Sequence, residues 1–174
     1  MTLHENKPII LAGMMGTGKS HIGKLLAERL SLPFYDSDKV IEERGGLTIP
    51  EIFELYGEAR FRESETKTII ELLGQGACVI ATGGGALTND AVLEAVKAQS
   101  HSIWLHADLE TLMERLSQSK NRPLLQNDNP KAILEDLLEK RESLYAQMDI
   151  AINTGAGNAD AVLNEIVDKL GNLK

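Results

Sequence analysis

The sequence predicts an α/β protein in three layers, a five-stranded parallel sheet flanked by helices. Three observations carry this. Short apolar runs recur along the chain: "PIILAG" (8–13), "PFYDSD" (33–38), "CVIAT" (78–82), "SIWLH" (102–106) and "DIAIN" (149–153). Longer amphipathic stretches separate them, and strand-helix alternation at this spacing implies right-handed crossovers, hence a parallel sheet with helices on both faces. Several apolar runs also stop at glycine or polar residues: Gly13, then Asp36 and Asp38, then Gly83-Gly84-Gly85, then Asn153-Thr154. In a parallel sheet those strand ends lie along one edge, where ligands bind.

Taken in order, the first strand (8–13) gives way at its glycines to an amphipathic run over 19–30. The second strand, 33–38, precedes a short helix at 38–45 and a long helical pattern over 49–74, broken near Gly57 into two. The third strand, 78–82, leads through a glycine triplet to a helix at 88–98. The fourth, 102–106, holds Trp104, read as a core residue, and is followed by a helix at 109–119. In the stretch 131–147, Ile133, Leu134, Leu137, Leu138 and Tyr145 follow helical periodicity. The fifth strand (149–153) and a helix at 159–170 close the pattern.

At 174 residues the chain reads as a single domain, 1–174, long enough to bury a core. Its 43% hydrophobic and 25% charged residues are ordinary for a soluble globular protein. The formal charge, 18 − 26 = −8, argues against a general nucleic-acid or anionic-membrane binder. "MTLHENK" has no apolar signal region, and "PIILAGMMG" is too short and glycine-broken to span a bilayer, so a cytoplasmic protein is expected. Cys78, the lone cysteine, excludes an intramolecular disulfide and reads as an inert buried thiol. His4, His21, His101 and His106 have no metal-ligand spacing and read as structural or surface residues. A monomer is the default at this size.

"GMMGTGKS", Gly13 to Ser20, matches the phosphate-loop pattern G-x-x-x-x-G-K-[ST] between a predicted strand and a predicted helix. Its glycines allow a tight backbone path whose amides face phosphate oxygens, and the following helix adds the positive end of its dipole. Lys19 would reach the β- and γ-phosphates of ATP, and the Ser20 hydroxyl would ligate Mg²⁺. Met15, Gly16, Thr17, Gly18, Lys19, Ser20 and His21 form the expected nucleotide-binding run.

The acceptor side is carried by scattered residues. Asp36 and Asp38, two apart at the end of the second strand, would point the same way on an extended chain. They could orient a hydroxyl, accept its proton or hold Mg²⁺ through water; equally, "DSD" could be an Asx turn or helix cap. "GEARFRESE" contributes Arg60 and Arg62, and "EKRESLY" contributes Arg141, each of which could be a solvated helix arginine. "NRPLLQNDNP" (121–130) starts with Arg122 nearby and suits a lid over about 119–131, with an ordinary surface connection as the other reading. "TGGGAL" (82–87) is different: three consecutive glycines are entropically costly unless the backbone must approach something closely.

"GMMGTGKS", "DSD", "FRESE", "TGGGAL", "RPLL" and "KRESLY", in this order, resemble the shikimate kinase family from the first strand to about Tyr145. The resemblance implies a P-loop kinase fold, a substrate-binding helical insertion over about 37–63, and transfer of the ATP γ-phosphoryl group to the 3-hydroxyl of shikimate. It further implies Asp38 as the residue holding and deprotonating the hydroxyl, and Asp36 as support for Mg²⁺ through water. Arg62 and Arg141 would grip the shikimate carboxylate, Gly83, Gly84 and Gly85 would line the pocket, and Arg122 would close over the phosphates. Lys19, Asp38 and Arg122 are thus the implied catalytic groups. In one place the sequence departs from the family pattern: "NTGAGNAD" (153–160) lacks the Arg or Gln that often packs near adenine. Arg115 is a candidate for stacking on adenine, or else a solvated arginine beside Glu110 and Glu114. A kinase for gluconate or a nucleoside monophosphate, and a nucleotide-binding module without transfer activity, are the competing functions.

Overall fold

Alternation along the central strand sorts side chains between two cores. The computed structural model describes residues 6–118 and 128–173. In β1 (Ile9–Ala12), Ile9 and Leu11 enter a core with Ile22, Leu26, Val162 and Ile166, while Ile10 and Ala12 enter another with Ile69, Val92 and Leu112. β3 (Val79–Ala81) repeats the split, Val79 to the first core and Ile80 to the second. With β2 (Phe34–Asp36), β4 (His101–His106) and β5 (Ile150–Asn153), the described residues form a five-stranded sheet in the order β2-β3-β1-β4-β5, every pairing parallel.

The first core is roofed by α1 (Lys19–Leu30) and α7 (Ala159–Gly171). The second lies under α3 (Ile49–Leu73), α4 (Asp90–Gln99), α5 (Leu109–Ser117) and α6 (Pro130–Tyr145). The result is the expected three-layer α/β architecture. α2 (Ser37–Gly45) packs on α3 through a small separate cluster of Ile41, Ile52 and Phe61. α3 is interrupted at Gly57 alone among its residues, where φ 80 and ψ 168 lie in a region open to glycine, which is the break the sequence placed there.

Two details align the edge where the strands end. Gly23 lets α1 lie directly on β2, because a Cβ there would stand 2.5 Å from the Phe34 ring; this draws Ser20 towards Asp36. The second strand is shorter than its apolar run suggested. It ends at Asp36, whose side chain turns the chain into α2 by accepting hydrogen bonds from the amides of Asp38 (3.2 Å) and Lys39 (3.4 Å). Asp38 therefore sits on the first turn of a helix and not on an extended strand, so strand alternation is not what brings the two carboxylates together. Cys78 is buried just before β3, and burial pushes its thiol up to about 11. No helix among the described residues is long and apolar enough to cross a membrane.

Candidate active site

The phosphate loop is shaped by what surrounds it. Gly13 has φ 142, and a Cβ there would run into the Leu105 carbonyl oxygen of β4, so only glycine fits. Gly16 and Gly18 also have positive φ, 85 and 87. Thr17 is buried and donates to the Met14 carbonyl at 2.8 Å, pinning the loop from inside. The Lys19 ammonium donates to the carbonyls of Gly13 (2.8 Å) and Met14 (2.9 Å), folding back over the loop it follows.

Helix ends mark this site as unlike the rest of the fold. α2 through α7 each carry a side-chain N-cap, from Asp36, Thr48, Asn89, Asp108, Asn129 and Asn158. α1 carries none: its N-cap is Gly18, without a side chain. The first amides of a helix need acceptors, and at α1 the absence of a side-chain cap leaves them available to an anion.

Asp38 stands beside the loop. Its carboxyl is pushed up to about 6, by burial first and then by the neighbouring charges of Asp36 and Glu65, with Lys19 opposing. Its Oδ1 is buried with no hydrogen-bond partner among the described residues. Across from it lie Gly83, Gly84 and Gly85. A Cβ on Gly83 would come within 2.6 Å of Glu65 Oε1 and 2.9 Å of Asp38 Oδ1. On Gly85 it would meet the Arg62 guanidinium at 2.8 Å, and on Gly84 it would face the Met15 amide and the Gly13 carbonyl, both at 3.6 Å. The glycine triplet is the point where phosphate loop, carboxylate and guanidinium crowd together: a side chain at Gly83 or Gly85 would displace Glu65, Asp38 or Arg62, while at Gly84 the contacts are of ordinary length.

Arg62 is steered by Glu65, which is 3% exposed and accepts its NH1 at 2.7 Å; Glu58 holds the other side at 3.3 Å. Arg141 donates to the Gly84 carbonyl at 3.0 Å, and Tyr145, one turn along α6, donates to the same oxygen at 2.5 Å. A cleft of about 390 Å³ opens between Lys19, Ser20, Asp36, Asp38, Gly83 and Gly84. Ser20 Oγ donates to Asp36 Oδ2 at 2.5 Å on its wall. An adjoining cleft of about 280 Å³ shares Gly16, Gly18, His21 and Arg115 with it and runs to Thr154 and Gly157.

A cleft with a phosphate loop at one end, and at the other a carboxylate and a glycine triplet against which Arg62 and Arg141 pack, suits transfer to a small anionic alcohol. The family model for shikimate kinase matches residues 15–171. The chain belongs to the shikimate kinase family. It is 44% identical to the shikimate kinase of Bartonella henselae over 163 residues, 94% of this chain and 78% of that one. Among solved structures, a shikimate kinase from Acinetobacter baumannii in complex with shikimate superposes with a TM-score of 0.90 at 41% identity, covering 95% and 93% of the two chains. A gluconokinase from Sinorhizobium meliloti reaches a TM-score of 0.59 at 18% identity over 96% and 93%, a likeness of fold alone.

Of the residues expected at a shikimate kinase site, Met15, Gly16, Thr17, Gly18, Lys19, Ser20 and His21 line the two clefts or their floor, and Asp36, Asp38, Arg62, Gly83, Gly84, Gly85 and Arg141 meet around the first. Arg122 lies outside the described residues, as do residues 119–127 of the expected lid. Arg115 pairs with neither Glu110 nor Glu114 in any described bond. It donates to the Gly16 carbonyl at 3.3 Å and to the hydroxyl (3.1 Å) and carbonyl of Thr154, tying the phosphate loop to the 153–160 loop. Sequence reasoning passed over Glu65, Tyr145 and Thr154. Glu65 at i+3 and Tyr145 at i+4 from site arginines were the available signals; Thr154 had none beyond its place at a strand end.

Proposed function

We propose that the chain transfers the γ-phosphoryl group of ATP to the 3-hydroxyl of shikimate, giving shikimate 3-phosphate and ADP in aromatic amino-acid biosynthesis. The convergence of Asp38, Arg62 and Arg141 on Gly83–Gly85, in contact with the phosphate loop, is the observation that carries this reading. A ring acid would present its carboxylate to the Arg62 and Arg141 forks and its hydroxyl to Asp38. Asp38 Oδ1, buried and without a partner, takes the hydroxyl proton as the oxygen forms its bond to the γ-phosphorus. The bond from that phosphorus to the bridging oxygen breaks, and its electron pair leaves with ADP. Lys19 turns from the loop carbonyls to the phosphates, while Met15, Gly16, Thr17, Gly18, His21 and Arg115 hold the nucleotide. Arg122 would close over the phosphates from the lid segment, 119–131, and 37–63 would be the acceptor-binding insertion. Such chemistry needs positioning and charge neutralisation more than covalent help.

The donor set beside the loop suits Mg²⁺. Ser20 and Asp36 offer hard oxygen ligands already in contact, and no cluster of His, Cys, Asp or Glu able to cage a metal occurs among the described residues. Mg²⁺ binds through few protein oxygens, water and substrate phosphates, so Ser20 would hold it directly and Asp36 through water. When bound, it supplies neutralisation of charge on the β- and γ-phosphates. We propose a cytoplasmic monomer that takes only ATP and shikimate as partners.

Consumption of Mg·ATP with shikimate, gluconate, AMP or no acceptor tests the assignment. Turnover that depends on shikimate alone is expected. Turnover with gluconate or AMP in its place would make this a different small-molecule kinase, and nucleotide binding without turnover would make it a binding module.

A further inference from the structure

A second cavity, about 240 Å³, lies behind the phosphate loop between the start of α5 and the end of α6. Its lining shares nothing with the acceptor cleft among the described residues. Met14 and Thr17 form its floor, Leu112 and Leu138 its sides, and most of the surface is apolar. Trp104 is only half-buried although it sits in β4 of a covered sheet, and it faces this space in a row of rings. His106 is 4.8 Å from it between centroids, and Tyr145 is stacked at 6.0 Å with 22° between planes.

The carboxylates that line this cavity are its own, and a cation beside it, Arg141, touches Met14 and Tyr145 from the acceptor side. Its described lining includes Asp108 and Glu142 but no lysine or arginine. Asp108 is held below the usual carboxylate range by hydrogen bonds from the Thr111 amide (2.7 Å) and hydroxyl (3.1 Å), so it stays ionised. Glu142 is exposed at the mouth. Aromatic faces with carboxylates nearby are the chemistry that recognises organic ammonium ions. A dry cavity of about 150 Å³ is enough for one benzene ring, and this one is larger.

We infer that this cavity binds a small aromatic amine, its ring along Trp104 and its ammonium between Asp108 and Glu142. Phosphoryl transfer as proposed uses none of Trp104, Asp108 and Glu142, and only Thr17 of the floor is shared with the nucleotide cleft. The site nonetheless backs onto the catalytic one, because Met14 belongs to the phosphate loop and Tyr145 holds the Gly84 carbonyl.

Phenethylamine titrated into the full chain, without nucleotide or shikimate, tests this through the emission of Trp104, the single tryptophan. A saturable change is expected, about tenfold tighter than with 3-phenylpropionate, which has a similar ring and the opposite charge. Glu142→Gln, an exposed change, should remove most of that preference. Leu138→Phe should fill the space and abolish saturation; should that variant fail to fold, the Glu142→Gln comparison decides alone. Saturating ATP and shikimate should leave the amine bound. No saturation, equal affinity for the carboxylate, an unaltered preference in Glu142→Gln, or one-for-one displacement by shikimate or ATP would each overturn the assignment.

Discussion

Arg62→Ala should do two separable things, because Arg62 is proposed to hold the acceptor and also pairs with Glu65 and, less closely, Glu58 within the protein. Towards the cleft it would meet the acceptor carboxylate, and losing a charged hydrogen bond there is worth about 1.5–3 kcal/mol, or roughly ten- to a hundredfold in the shikimate KM. Towards the protein it neutralises Glu65, whose side chain is only 4% exposed. Breaking a fully buried pair by removing one member costs about 3–5 kcal/mol. Arg62 is 32% exposed, so solvent screens part of that interaction, and about 2 kcal/mol is the reasonable expectation. For a chain of this size that lowers Tm by about 4–8 °C. The double variant Arg62→Ala/Glu65→Gln removes the stranded carboxylate as well. It should regain most of the stability and none of the KM. Arg141→Ala is the contrast: its structural acceptor is the neutral Gly84 carbonyl, which Tyr145 continues to satisfy, so KM should rise with little change in Tm. Urea denaturation and steady-state kinetics on the three variants measure both quantities. Wild-type stability in Arg62→Ala, or a recovered KM in the double variant, would refute the reasoning.

Activity should also follow the ionisation of Asp38. Only the ionised carboxylate accepts a proton, and its pKa is raised to about 6, so log kcat/KM for shikimate should climb with unit slope up to about pH 6 and then level. Asp36→Asn removes a like charge and should move that limb to lower pH; a limb centred near pH 4 in the unaltered protein would contradict the burial of Asp38. Lys19→Ala should abolish transfer yet stay folded, losing less than about 1.5 kcal/mol, since its bonds are to loop carbonyls; circular dichroism and a melt suffice, and an unfolded variant would make Lys19 a structural residue. Cys78, with its thiol raised to about 11, should resist thiol reagents at pH 8 until urea is added, and stoichiometric labelling of the native protein would show that the strand is not closed around it.

The parts legible in the sequence are those whose physics is local. A phosphate loop is a continuous stretch of backbone, so its glycines, Lys19 and Ser20 carry their function in their spacing, and the alternation of apolar runs with helical periods dictates the layered sheet. The break at Gly57 was legible for the same reason. Asp36 was ambiguous between cap and site because both roles need a carboxylate at one strand end; the fold gives it the cap and the contact with Ser20 together.

What the tertiary structure decided are the quantities that depend on residues far apart in the chain. Glu65 reads as one more helix glutamate until the fold buries it under Gly83, and Arg115 reads equally as an adenine contact or a solvated arginine until the 153–160 loop is brought against it. The raised pKa of Asp38 has local causes in Asp36 and, least, Glu42, but the largest is burial, and Glu65 approaches from another helix. Sequence alone determined which chemistry is present. Folding decided how strongly each group feels the others, because desolvation and charge coupling are set by distances through space and not by spacing along the chain.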